Sequence, residues 1–443
     1  MIRRELAARS AALAGSEEGW VTPVSLFAFV ITAAIGGLGL DLSQIVAART
    51  QLQVAADIAA HAALYNRDLL GPEDDAAEIA KDRAITLARD SMPSETFGSY
   101  ITADDIEFGD YDSDTRTFTP DPDSRQAARV IAFRVSDRSN SVGAYLLRLV
   151  GVTNFDIVTS AVFETYRPTC FREGFVADGV VDVQSNNTYT DGFCIHSNQH
   201  VSVNQNNFFE PGTIVSMPNE DDLDLPASGF EKNEGLADAL HPGKYNIRIL
   251  NRLGEIRDGM TDDDSEFYRL SDSANPAPRT VTRKNSMTPA DFAVDRVNVM
   301  ACNGRTVTLD GVFRNTVIIG DNCVFRMSNG TALESSTLIT TSTDDGSITS
   351  PNGFRMGVDD DCADGGESQI VTWGGVQVAS GLEMYGSQII AAGPIDFAAN
   401  ALGIKGASMI SGETIDGTSN MSFGFCGEGM GNNFEAEYFR LRA

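Results

Sequence analysis

The chain has 443 residues, 42% of them apolar and 21% charged, with 41 Gly and 24 Phe but only 4 His and 2 Trp. That balance supports a packed core, excludes wholesale disorder and leans toward a Gly-rich, turn-rich β protein. Against 33 Lys and Arg stand 62 Asp and Glu, and a net charge of −29 is repelled by phosphate backbones, so no nucleic-acid partner is expected.

The acidity is uneven. Residues 1–167 hold 15 basic and 24 acidic side chains, which leaves 18 and 38 for the rest, and all six cysteines also lie beyond residue 167. This change of character sets a domain boundary near Arg167–Pro168.

Residues 1–19 form a short leader carrying Arg3, Arg4 and Arg9. From Trp20 to Leu40 no residue is charged, and 21 residues at about 1.5 Å each span roughly 31 Å, the thickness of a bilayer core. The arginines before it and Asp41 after it predict a transmembrane helix over 20–40 with the N-terminus cytoplasmic. A cleaved secretory signal would carry a shorter apolar run and an A-x-A-like site, and none follows Leu40. A lipoprotein signal would need a cysteine, and the first is Cys170. Residues 41–70 continue with Leu42, Ile45, Val46, Leu52, Ala56, Ala59 and Ala63 at helical spacing, without Pro or Gly, so one long rod is expected.

The basic leader, the Gly just before the apolar run, the span ending in L-D-L and the following A-A-R-T-Q-L-Q-V-A-A-D-I-A-A-H-A-A-L together resemble the N-terminus of the TadE/TadG-like family. The resemblance implies a component of a bacterial Tad (Flp) pilus machinery, a branch of the type IV pilus systems. It implies pilin-like proteins and other Tad components as partners and a single-pass location in the inner membrane, with the bulk periplasmic or extracellular. Prepilin-like relatives carry Glu five positions after the cleavage Gly; here Gly19 is followed at that distance by Val24. The leader is therefore expected to be retained, as in the TadG-like branch. A minor tip pilin or adhesin of the same system is the alternative.

Residues 71–167 read as a small α+β domain. Acids after Pro72 and bases later suit a helix dipole. D-D-I-E-F-G-D-Y-D and T-R-T-F-T-P read as paired strands, A-A-R-V-I-A-F-R-V as a third and F-D-I-V-T-S-A-V-F-E as a fourth, with V-G-A-Y-L-L-R-L-V helical before it. An antiparallel sheet with helices on one face follows.

From 168 to 443 short apolar triplets alternate with Gly, Asn, Asp and Ser. Triplets starting at Val371, Val376, Leu382, Ile389, Ile395, Ile404 and Met409 suggest two or three short strands per coil of a parallel β-helix-like domain. N-Q-N-N and Q-S-N-N-T are candidates for stacked asparagines at the turns. The triplets stop over about 218–296, which reads as an insertion projecting from one coil and carrying a binding surface. The whole is α+β, mainly β.

The cysteines in sequential order, Cys170 with Cys194, Cys302 with Cys323 and Cys362 with Cys426, would close loops of 24, 21 and 64 residues, although six cysteines allow 15 pairings. Structural disulfides are expected in an oxidising compartment. Cys194, His196 and His200 are the nearest approach to a metal box, and Asp344, Asp345 and Asp359 to Gly366 are acidic turns that could attract calcium, yet neither shows a metal-ligand spacing and no metal or cofactor is expected. No G-x-S-x-G, P-loop Lys or H-E-x-x-H occurs, so no catalytic residue is assigned. A carbohydrate-active β-helix enzyme is the second alternative; it would need Asp182, Arg326, Arg355, Glu383, Asp396 and Lys405 to converge.

Overall fold

The computed structural model describes residues 21–70, 75–270, 275–363, 365, 367–417, 419–426 and 430–442. Two compact units emerge: residues 1–166 with 437–443, and residues 167–436. Trp20 and Gly19 lie outside the described residues.

In the first unit the uninterrupted run after Leu40 does what its sequence dictates. Helix α1, Val21–Leu70, is a single rod of 50 residues. Its second half buries Ala48, Leu52, Ala55, Ala56, Ala59 and Ala63. Alanines at that spacing let neighbouring elements approach the helix axis closely. Helix α2, Ala76–Ser91, packs on it through Ala80, Ala84, Ile85 and Ala88.

The sheet beneath is antiparallel. Strand β1, Ile106–Asp112, pairs with β2, Thr117–Pro120, and β3, Ala127–Arg134; β3 pairs with β4, Ile157–Tyr166. A final strand, Tyr438–Leu441, returns to pair with β4, so the last residues belong to this sheet and not to the parallel strands expected up to 443. The buried carboxylate of Glu164 on β4 draws it in, accepting from Arg440 Nε and Arg442 Nε at 2.6 Å each. The stretch 142–150 is not one helix. It splits into a two-residue strand, Val142–Gly143, and a 3-10 turn, Leu147–Val150.

The second unit is a parallel sheet whose strands pair at sequence separations of about 20 to 32 residues, and at 234 where its first strands meet its last. Ile318, Leu338, Ile370, Ile389, Met409, Phe175, Ile195 and Val215 follow one another in direct register and are all buried. A second inward column runs Phe325, Ile348, Val376, Ile395, Ile415, Val181 and Val201. Each such side chain contributes about 1.5–3 kcal/mol by leaving water. The amide ladders expected at the turns are present. Asn186 Nδ2 donates to Asn420 Oδ1 at 3.1 Å, and Asn206 Nδ2 to Asn186 Oδ1 at 3.2 Å, all three residues at positive φ.

The register also reveals a permuted order. Strand Gly174–Ala177 lies between Cys194–Ser197 and residues 408–411, so the chain begins in the middle of the stack. It builds outward to Leu240–Pro242, then resumes at Asn275–Thr280 at the opposite end and builds back. The stretch expected to project as an insertion instead runs along the stack. Its Ile249, Leu253, Ile256 and Met260 are buried, Tyr245 packs edge-on to His196 with ring centroids 4.5 Å apart, and Arg257 pairs with Asp321 at 2.9 Å. The reason is apolar demand: Ile319, Ile339, Val371, Ile390 and Ile410 are buried on the outer side of their strands, where an uncovered parallel sheet would expose them.

Candidate functional site

Two surfaces stand out, one in each unit. In the first, α1 divides sharply. Residues from Val21 to Leu40 leave Leu26, Phe27, Phe29, Ile31 and Ile35 exposed, with Phe27 at 70%. Among the described residues α1 is the one helix long and apolar enough to cross a membrane.

Where the apolar run ends, Asp41 is fully buried and its carboxylate is occupied. It accepts from the Tyr145 N–H at 2.5 Å, the Leu147 N–H at 2.7 Å and the Leu146 N–H at 3.1 Å. These three donors explain why residues 142–150 make a capped 3-10 turn rather than a helix. The same loop passes so near the rod that a Cβ on Gly37 would lie 2.6 Å from Leu146 Cβ. Held there, the loop exposes Tyr145, Leu149 (81%) and Val152.

In the second unit one strand column faces outward and is polar throughout. Arg326, Thr349, Gln377, Asp396, Asp416 and Asp182 are direct register partners on six successive strands. Ser202 follows Asp182, and Asp224 bridges to Ser202. A cleft of about 780 Å³ opens over the column from Arg326 to Asp416, lined also by Gln184, Pro351 and Phe397.

Burial and like charges act on the acids together. Partial burial raises Asp182, helped by Asp416 and Asp224; it raises Asp416, helped by Asp396; and it raises Asp396, helped by Asp345. Asp182 Oδ1 is buried with no hydrogen-bond partner.

The six residues named for an enzyme therefore separate. Asp182, Arg326 and Asp396 share this column. Arg355 pairs instead with Glu334, which also holds Arg314, while Glu383 is the register partner of Arg355. Lys405 pairs with Asp361 at 2.9 Å. Sequence reading missed Asp416, Thr349 and Gln377, whose alignment rests on irregular offsets of 19 to 28 residues that no local motif marks.

At the suggested metal box, Cys194 and His196 are engaged by other partners. Cys194 is bonded to Cys170, and His196 is buried between Ser216 Oγ at 2.7 Å and Asn198 Oδ1 at 3.0 Å. Burial lowers its imidazole below the usual range. The other bridges are Cys302–Cys323 and Cys362–Cys426. At the acidic turns, Asp344 Oδ1 accepts from the Gly346 N–H at 2.9 Å and Asp360 Oδ1 from the Ala363 N–H at 3.2 Å. Among the described residues the one group of three acids whose ligand atoms lie within 4.8 Å of one another is Asp262, Asp263 and Asp264, all exposed.

An apolar rod leading into a small antiparallel sheet, followed by a long parallel sheet with a polar outer column, defines a two-part, mainly β protein. Residues 174–427 match the family model described as Domain of unknown function (DUF7867), and the chain belongs to that family. Residues 19–77 match the model described as Putative Flp pilus-assembly TadE/G-like, so the N-terminal segment is of the Tad type. No curated protein and no solved structure matches the chain.

Proposed function

We propose that this protein is a membrane-anchored envelope component of a Tad-type pilus assembly or secretion apparatus, acting through protein contacts rather than a reaction of its own. The observation that carries the reading is the division of α1, with an exposed apolar half before Asp41 and an alanine-faced half buried in its own unit after it. The first half suits lipid and neighbouring pilin-like helices; the TadE/G-like match supports the same role. The pinned loop with exposed Tyr145 and Leu149 sits where the span leaves the bilayer, a depth that favours amphipathic and apolar side chains. Arg3, Arg4 and Arg9 favour a cytoplasmic N-terminus, with the disulfide-bonded unit in the periplasm or beyond. The recurring parallel pairing at about 20 residues supports a parallel β-helix for residues 167–436. Deleting the gene should reduce surface piliation and attachment, and the protein should fractionate with the inner membrane; normal pili and adhesion in the deletion strain reject the reading.

A second reading, a minor tip pilin or adhesin of the same system, is favoured by the cleft on the parallel unit. Recovery of the chain in sheared pili rather than in membranes would select it.

A further inference from the structure

We propose that the polar column from Arg326 to Asp416 is the floor of a binding groove for an extended, uncharged polyhydroxylated chain, a neutral glycan. The inference does not depend on the pilus reading.

The shape comes first. Five strands in register place one polar side chain every 4.7–4.9 Å or so, a rigid track of about 19 Å. A track that long and regular suits an extended repeating ligand better than a compact one.

The chemistry then narrows the class. Carboxylates accept hydrogen bonds, Arg326 donates, and Gln377 and Thr349 do both. A ligand that meets all of them must itself donate and accept along its whole length, as hydroxyl groups do. Pro351 and Phe397 in the lining supply apolar contact for the C–H faces of sugar rings.

Charge excludes one competitor and geometry another. Two consecutive carboxylates, Asp396 and Asp416, with Asp182 next in register, repel a polyanion. A metal ion needs its oxygens gathered, and here the acids are dealt out one per strand; among the described residues only Asp262, Asp263 and Asp264 gather within 4.8 Å. A cationic chain would meet Arg326 at one end of the same column.

The column is also energetically unfinished. Like charges directly opposite one another on neighbouring strands oppose folding. Hydroxyl donors from a ligand would lessen that cost.

The test uses the full-length protein in a detergent without a sugar headgroup. Probes are an array of neutral glycans (mannan, xylan, dextran and cello-, malto- and chito-oligosaccharides), alginate as polyanion, polylysine as polycation, and calcium. We expect binding to a neutral glycan, tightening from trisaccharide to hexasaccharide and insensitive to salt. Gln377→Ala and Asp416→Asn should each weaken it about tenfold, the loss of one or two hydrogen bonds, while Asp263→Asn leaves it unchanged. Both column variants are outward-facing, and unchanged circular dichroism with three intact disulfides shows that they fold. No binding to any neutral glycan overturns the proposal. So does tighter, salt-sensitive binding to polylysine, stoichiometric calcium binding lost in Asp416→Asn, or glycan affinity unmoved in both column variants.

Discussion

Asn186 donates its side-chain amide to Asn420 Oδ1 across 234 residues of chain, and that bond joins the first turn of the parallel unit to the last. The stack is thus closed in its middle, between strands made early and late in synthesis. Such non-local pairing is slow to form, because loop closure must precede the contacts that reward it.

Met409 sits at this seam, fully buried, in register with Ile389 on one side and Phe175 on the other. Met409→Ala should cost about 2–5 kcal/mol, read from the midpoint of denaturant unfolding. A loss under 1 kcal/mol would show that the seam is loosely packed.

The Asp41 carboxylate accepts from three N–H groups of one loop. Asp41→Ala removes three charge-assisted hydrogen bonds from partly buried donors, a cost of roughly 1 kcal/mol or somewhat more. Hydrogen exchange should accelerate at Tyr145, Leu146 and Leu147 while the strand amides of β3 stay protected. Unchanged exchange at all three would refute the cap.

The carboxylate column makes stability depend on pH in a stated direction. Asp182, Asp396 and Asp416 hold protons more tightly folded than unfolded, because burial and then like charges raise them. Their contribution therefore favours folding in acid and is lost as pH rises from the unfolded value near 3.8 through the raised folded values. All three are substantially solvated, so the effect is screened. Asp416→Asn should stabilise by about 0.5 kcal/mol at pH 7, raising Tm by roughly 1–2 °C, and should do nothing at pH 3. Destabilisation at pH 7 would reverse the sign argued here.

The three disulfides differ in the loop each one closes. Chain entropy gives the 64-residue loop of Cys362–Cys426 about 4 kcal/mol and the 21-residue loop of Cys302–Cys323 roughly 3. Non-reducing peptide mapping should recover these two and Cys170–Cys194. Free thiols in protein prepared without reductant would contradict the pairing and the oxidising location together.

Much of this architecture was legible in local pattern. An uninterrupted apolar and alanine-rich run can only be a rod, and α1 is one. Four strands of the antiparallel sheet follow from alternation, and the paired Asn-Asn turns announce stacking because their side-chain amides need partners. Loop 142–150 was not legible, since its conformation is imposed by a carboxylate about a hundred residues upstream.

The column was not legible either. Asp182, Asp396 and Asp416 each sit in a short strand of unremarkable sequence, and nothing local says that Asp416 faces Asp182 while Lys405 faces elsewhere. That choice depends on which strand of the late run docks on Gly174–Ala177, and a shift of one residue would have sent every side chain to the other face. Sequence by itself determined the long rod, the antiparallel strands and the inward residues of the parallel strands, because burial acts on each strand alone. Only the tertiary structure decided the outward column and the path of residues 243–270, because both depend on the order in which distant strands stack.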